Sequence, residues 1–284
     1  MQKQIYIVSQ KGIRPEYVAA VEDGVRDFMA MFPEYKDDYP ITDLGQWRSD
    51  KALINARKYM QLPASTRNLY IPTTDGNYLV PYESVDWSMA IAKYSAISHG
   101  RPQQIDATML LNLMENDPTV AKIPQIDIHL VRDDAFAMSN GRPNNFVYGV
   151  GQSDKGFVLS VNRFEHMYGD NPAYVQEVIK TIAIHELGHV FKATVPGRHN
   201  VSNRDGYGLH CDCPGCVMRS DTRAKPNVLT NDRLARNRNG EPPMCPECIA
   251  MAKFHFAELS GSYERQQQAA LDFNLIKHKT RDYS

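Results

Sequence analysis

Cysteine is missing from the first 210 residues of this 284-residue chain, so no disulfide framework can run through most of the fold. Net charge is almost absent as well. The 32 basic residues nearly balance the 33 acidic ones, leaving −1, and such a chain carries no electrostatic footprint for nucleic acid or an anionic membrane. No uninterrupted apolar run approaches the roughly 18 residues of a membrane-spanning helix. Repeats and low-complexity tracts are absent too. The opening residues, Met1-Gln-Lys-Gln-Ile-Tyr-Ile-Val-Ser9, lack the apolar stretch of a secretory leader and read as a short first strand. Together these absences predict a cytoplasmic protein whose partner is neither nucleic acid nor membrane. With 42% hydrophobic residues the chain can build a sizeable core, and its length fits one large domain or two small ones.

What is present is concentrated late in the chain. Residues 185–189 read His-Glu-Leu-Gly-His. On a helix, positions i and i+4 share a face, so His185 and His189 can grip one metal ion from the same side. Glu186 sits one step round, close enough to reach a water on that metal but badly placed as a third ligand. H-E-x-x-H is the mechanical pattern of a zinc hydrolase, with the glutamate as general base. The helix that carries it starts at Asn171-Pro172, a cap followed by a proline whose missing N–H costs nothing in a first turn. Val175, Val178, Ile182, His185 and His189 form one stripe, and Ile184, Leu187 and Phe191 a second, which predicts a central helix buried on two sides. The competing reading is a pair of hydrogen-bonded core histidines.

All five cysteines then fall within 38 residues, as Cys211-Asp-Cys213-Pro-Gly-Cys216 and Cys245-Pro-Glu-Cys248. Scattered structural thiols do not cluster in this way. Paired C-x-x-C elements separated by a loop have the spacing of a closed, tetrahedral zinc site with four thiolate ligands, and a redox C-x-x-C pair is the main competitor.

The segment from His185 to Cys248 resembles the archaemetzincin branch of the metzincin zinc peptidases, whose signature runs H-E-x-x-H-x-x-G-x-x-H-C-x4-C-x-M followed by C-x-x-C. His185, Glu186 and His189 match its first part. His210, Cys211, Cys216 and Met218 match the second without a gap, and Cys245 and Cys248 match the last pair. The stretch from Asn145 to Arg163 is similar to the strand region before the family's active-site helix. The resemblance covers about residues 124–250. It implies a zinc-dependent peptidase in which His185, His189 and His210 hold a catalytic zinc and Glu186 is the general base for its water. Met218 would form a methionine turn beneath the histidines, and Cys211, Cys216, Cys245 and Cys248 would hold a second, structural zinc. Its substrate would be a peptide or protein. Three departures stand out. Lys192 replaces the family's glycine, the loop from Ala193 to Leu209 is longer than usual, and so is the loop between Met218 and Cys245. The first loop contains His199, an alternative third ligand, although His210 keeps the register to the cysteines. Cys213 pairs with Cys216 as C-x-x-C and could take the place of Cys211.

The implied fold is α/β (α+β): a metzincin-like mixed, twisted sheet with a central active-site helix and a zinc-stapled C-terminal subdomain. We expect an N-terminal α/β portion over 1–120, a peptidase core over 121–250 and a helical segment over 251–284. Strands are predicted at Ile5–Val8, Ile126–Val131, Phe146–Val150 and Phe157–Val161. The last two are joined by a turn at 152–156; the resemblance makes them a candidate for binding a substrate backbone by strand addition, and plain sheet packing is the competing reading. Helices are predicted at Pro15–Phe32, Asp50–Gln61, Trp87–His99, Asp106–Asn116 and across Ile249–His278. Residues 33–48 read as loop, and Arg219, Arg223, Lys225, Arg233, Arg236 and Arg238 as a locally basic, solvated one. Two other functions compete: a metal-binding protein with a poorly active peptidase site, and a zinc-ribbon module for nucleic acid.

Overall fold

Parallel strands need crossover connections, and the chain supplies one at once. Strand β1 (Gln4–Ser9) leads into helix α1 (Pro15–Ala30) and then β2 (Ile41–Gln46), which pairs parallel to β1 with Ile5 opposite Ile41. The computed structural model describes residues 3–46 except 11, 68–73, 76–81, 92, 95–115 except 102, 125–139, 142–219 except 199 and 204–207, and 226–271 except 263. The chain divides into two compact units, one of Gln2–Val18 with Tyr39–Gly169 and one of Ala19–Asp38 with Asp170–Ser284. The boundary falls within α1.

The first unit is built on a sheet. Its smaller pairs are the hairpin of β3 (Asn68–Thr73) with β4 (Gly76–Pro81), parallel β5 (Gln104–Asp106) with β7 (Asp134–Phe136), and β8 (Met138–Ser139) with β9 (Arg142–Pro143). The principal sheet adds β6 (Gln125–Val131), β10 (Gly149–Gln152) and β11 (Gly156–Ser160), in the order β10-β11-β6-β1-β2. All neighbours are parallel except β10 with β11, so this is a mixed sheet in an α/β fold. Alternation in Ile126–Val131 predicts a strand with one wet face. The structure buries both faces, Asp127 and His129 included, and β6 is the central strand, between β1 and β11. On the His129 side, Val131 and Val158 pack with Ala107, Leu110 and Leu111 of helix α2 (Ala107–Glu115). Strand β10 is the sheet's edge. It starts three residues later than predicted because Phe146 and Tyr148 are used otherwise. Phe146 lies 3.6 Å under the Arg163 guanidinium, and Tyr148 stacks at 5.3 Å on Phe164 of α3 (Asn162–Tyr168).

Two loop readings change. Residues 33–48 contain β2, whose Pro- and Asp-rich approach hid a strand completed by main-chain pairing to β1. The basic loop contains helix α5 (Pro226–Arg238). Its buried face is Pro226, Leu229, Thr230 and Arg233, too polar to register as an apolar stripe. Arg233 is 1% exposed and donates to Thr181 Oγ1 at 2.8 Å and to the Glu177 carboxylate. Arg219 pairs with Asp232 and Arg236 with Glu241, so these arginines are engaged rather than displayed. Arg223, Lys225 and the helix predicted at Asp50–Gln61 lie outside the described residues. The predicted Trp87–His99 helix is described only at 92 and 95–99, where 92 and 95–98 are helical.

The second unit is helical. Helix α4 (Pro172–Val190) begins at Asn171, whose side chain accepts the Tyr174 N–H at 3.1 Å. From Thr181 to Gly188 every residue is buried, so the two predicted stripes merge into a helix enclosed on all sides. Phe191, just past its end, stacks at 4.2 Å on Phe256 of α6 (Pro246–Ser260) and at 5.5 Å on Phe28 of α1. Phe32 and Tyr35 close this aromatic core around Phe256.

Burial in the sheet pushes the His129 imidazole down to about 3. The unfolded chain, at the ordinary value near 6.5, therefore takes up the proton first. Stability is full above about pH 6.5 and falls by up to about 1.4 kcal/mol per pH unit as pH drops towards 3. We predict that His129→Leu removes this share of the slope, measured by urea unfolding at pH 6 and pH 5. An unchanged slope would refute it.

Candidate functional site

The helical spacing of His185 and His189 brings their Nε2 atoms to 3.1 Å. His210 joins them from β13 (His210–Cys211), with ring centroids 5.3 Å from His185 and 4.9 Å from His189. One nitrogen from each of the three lies within 4.8 Å of the others. His185 Nδ1 donates to the Val217 carbonyl at 2.8 Å. A carbonyl only accepts, so this contact fixes the tautomer and leaves the Nε2 lone pair facing the other rings. Burial, then the nearby His185 and His210, hold His189 well below 6.5, in the neutral form that binds metals. Glu186, next to His185 on the helix, is buried and is not one of the converging donors. His199 lies outside the described residues.

Twenty residues separate His189 from His210, and local structure spans that gap. Phe191 N–H reaches the Leu187 carbonyl, Lys192 N–H that of His189, and Ala193 N–H that of Gly188 at 2.8 Å. This is a Schellman closure. Its left-handed position is Lys192, with φ +53°, so the lysine adopts the conformation for which glycine is normally used, at a cost of about 1 kcal/mol. The chain then returns as β12 (Val201–Ser202), pairing antiparallel with β13 so that Ser202 faces His210 and Val201 faces Cys211. Thr194 Oγ1 holds the Leu209 carbonyl at 2.7 Å.

Beyond Cys211 the segment folds back onto α4. Cys211 N–H donates to the Met218 carbonyl at 2.8 Å. Met218 is fully buried against Gly188, where a Cβ would stand 2.1 Å from its sulfur. The glycine of His-Glu-Leu-Gly-His is thus the space into which Met218 packs. Val217, one residue earlier, supplies the carbonyl that orients His185.

The cysteines form a second set. Cys211, Cys216, Cys245 and Cys248 are buried and free of disulfides, with all four sulfurs within 4.8 Å of one another. Cys211 to Cys245 is 3.7 Å and Cys216 to Cys248 is 3.8 Å. A tetrahedral ion with metal–sulfur bonds of about 2.3 Å has sulfur–sulfur edges of about 3.8 Å, so the donor set fits zinc. Cys213-Pro-Gly-Cys216 makes a tight turn with Gly215 at φ +72° and Cys216 N–H on the Cys213 carbonyl. Cys245 occupies the N-cap position of α6, and Cys248 lies in its first turn. Cys213 stands beside this tetrad, its sulfur accepting from Asn200 Nδ2 at 2.9 Å and grouped with Cys245 and Glu247. Sequence reasoning missed Arg198, whose guanidinium donates to the Cys211 and Cys248 sulfurs at 3.2 and 3.1 Å. Its setting, Pro-Gly-Arg-His-Asn, reads as a solvated turn and carries no periodic signal.

The structure resembles archaemetzincins. Against the crystal structure of archaemetzincin from Methanopyrus kandleri the TM-score is 0.47 and the identity 18%, covering 89% of this chain and 95% of that one. Against archaemetzincin from Archaeoglobus fulgidus, complexed with malonate, the values are 0.42 and 17%, covering 87% and 99%. No protein-family model matches the sequence, and no curated protein matches it.

Because Met218 fills the space over Gly188, Gly188→Ala should destabilise the chain by about 1–3 kcal/mol through overpacking. The urea midpoint should fall, and zinc loaded at the histidines should be released faster to a chelator than from a wild-type chain loaded in the same way, as Val217 is displaced from His185. A Gly188→Ala chain with wild-type midpoint and release rate would contradict this packing account.

Proposed function

We propose that the chain is a zinc-dependent metallopeptidase. The observation that supports this best is the convergence of two imidazoles from one enclosed helix, which also carries the buried Glu186, with a third from β13. His185, His189 and His210 would hold the catalytic ion, and the four clustered cysteines a structural one. Three neutral protein ligands leave a coordination position open, which separates a catalytic from a closed site. When bound there, zinc polarises the scissile carbonyl and lowers the pKa of water to about 7.

The chain's own residues account for the proton transfers. Glu186 accepts a proton as water attacks the peptide carbonyl carbon. It then gives that proton to the amine nitrogen as the C–N bond breaks, so the carboxylate is regenerated. Val217 keeps His185 turned to its working nitrogen throughout. The free thiols of the cysteine cluster suit a reducing compartment such as the cytoplasm. The nucleic-acid reading is disfavoured by the pairing of Arg219, Arg233 and Arg236 with Asp232, Glu177 and Glu241. No helix among the described residues is long and apolar enough to cross a membrane.

The test compares wild type with Glu186→Gln against an unstructured protein such as reduced casein. Both should retain the same zinc content, and cleavage by the variant should be lower by about 10²- to 10⁴-fold. Equal cleavage by the two would overturn the role of Glu186. A wild type that holds zinc and cleaves nothing would instead support a metal-binding protein.

A further inference from the structure

Arg198 is nine-tenths buried, yet it lies in the loop by which this chain departs from the archaemetzincin pattern. Its Nη1 donates to the Ala193 carbonyl at 2.9 Å, and its Nη2 to the sulfurs of Cys211 and Cys248 at 3.2 and 3.1 Å. A buried guanidinium needs acceptors, and this one takes two from the cysteine cluster and one from the chain just past α4. Four thiolates around a divalent cation carry a net charge of −2. Enclosing that charge is costly unless a cation shares the burial. Arginine suits the task because it stays protonated and its fork reaches two directions at once.

We propose that Arg198 is a positioning residue for both clusters: it neutralises part of the charge on the cysteine-held metal and ties that metal to the end of the histidine-bearing helix. One end of the fork meets the sulfur of Cys211, next to His210. The other meets Ala193, whose own N–H closes the helix on the Gly188 carbonyl, one residue before His189. The same loop donates from Asn200 to the sulfur of Cys213, which stands beside the cluster. The inserted segment is therefore a clamp on the cysteine cluster. N–H donors withdraw electron density from a thiolate, so the clamp also makes the ligand sulfurs poorer nucleophiles. This inference rests on the reading that the four cysteines bind a metal.

The test uses the full chain with cobalt in place of zinc, in wild type, Arg198→Gln and Arg198→Lys. Wild type should show a thiolate-to-cobalt charge-transfer band. In Arg198→Gln that band should move to lower energy, and alkylation of the ligand cysteines by iodoacetamide should accelerate about tenfold, the loss expected for a charged hydrogen bond. Arg198→Lys keeps the charge and loses the fork, so its rate should lie between the two; it also carries the test should Arg198→Gln fail to fold. A space-filling role would move neither band nor rate. Either variant, folded by circular dichroism and with the wild-type band and rate, would overturn the proposal. A wild type without the band would overturn the metal reading itself, and this inference with it.

Discussion

The peptide bond between His210 and Cys211 is the constraint on which the rest of this site depends. Its two Cα atoms stand about 3.8 Å apart, so a donor to the histidine set and a donor to the cysteine set cannot move independently. The strand that carries them is two residues long and pairs with another of equal length. A ribbon that short has no stability of its own in water. Its order comes from its ends: the sulfurs on one side, and on the other the Met218 carbonyl that receives the Cys211 N–H.

Seen from helix α4, the segment from His210 to Met218 is attached at three places. The His210 ring stands against His185 and His189, Val217 takes a hydrogen bond from His185, and Met218 fills the surface over Gly188. These contacts hold the imidazoles in a converging arrangement through ordinary packing and hydrogen bonding. A site so supported loses little entropy when it takes up a ligand, which is the physical meaning of preorganisation. The helix itself is rigid because it is enclosed from Thr181 to Gly188 and stopped by a closed cap.

Much of this was legible in the sequence because it obeys a period or a spacing. The i, i+4 histidines, the Asn171-Pro172 start, the apolar runs of β1 and β11 and the paired cysteines are all short-range signals. What was illegible depends on tertiary partners. Helix α5 buries an arginine and a threonine where a stripe of leucines would have announced it, because Glu177 and Thr181 on α4 accept the guanidinium. Lys192 occupies a glycine conformation that no local rule predicts for lysine. Arg198 sits in a run of turn residues, and only the fold brings sulfurs to it. Strand β2 is drawn out of a loop-like composition by its pairing with β1.

The central claim is that the cysteine cluster holds the third histidine in place. Measuring metal affinity at the histidine site in wild type and in Cys248→Ser tests it most directly. Cys248 is fully buried and far along the chain from every histidine of the site, so its effect can reach them only through the cluster. The account predicts that Cys248→Ser loses the cysteine-held metal and binds metal at the histidines at least about tenfold more weakly, as removal of a supporting shell does. A Cys248→Ser chain whose histidine site keeps wild-type affinity would contradict it.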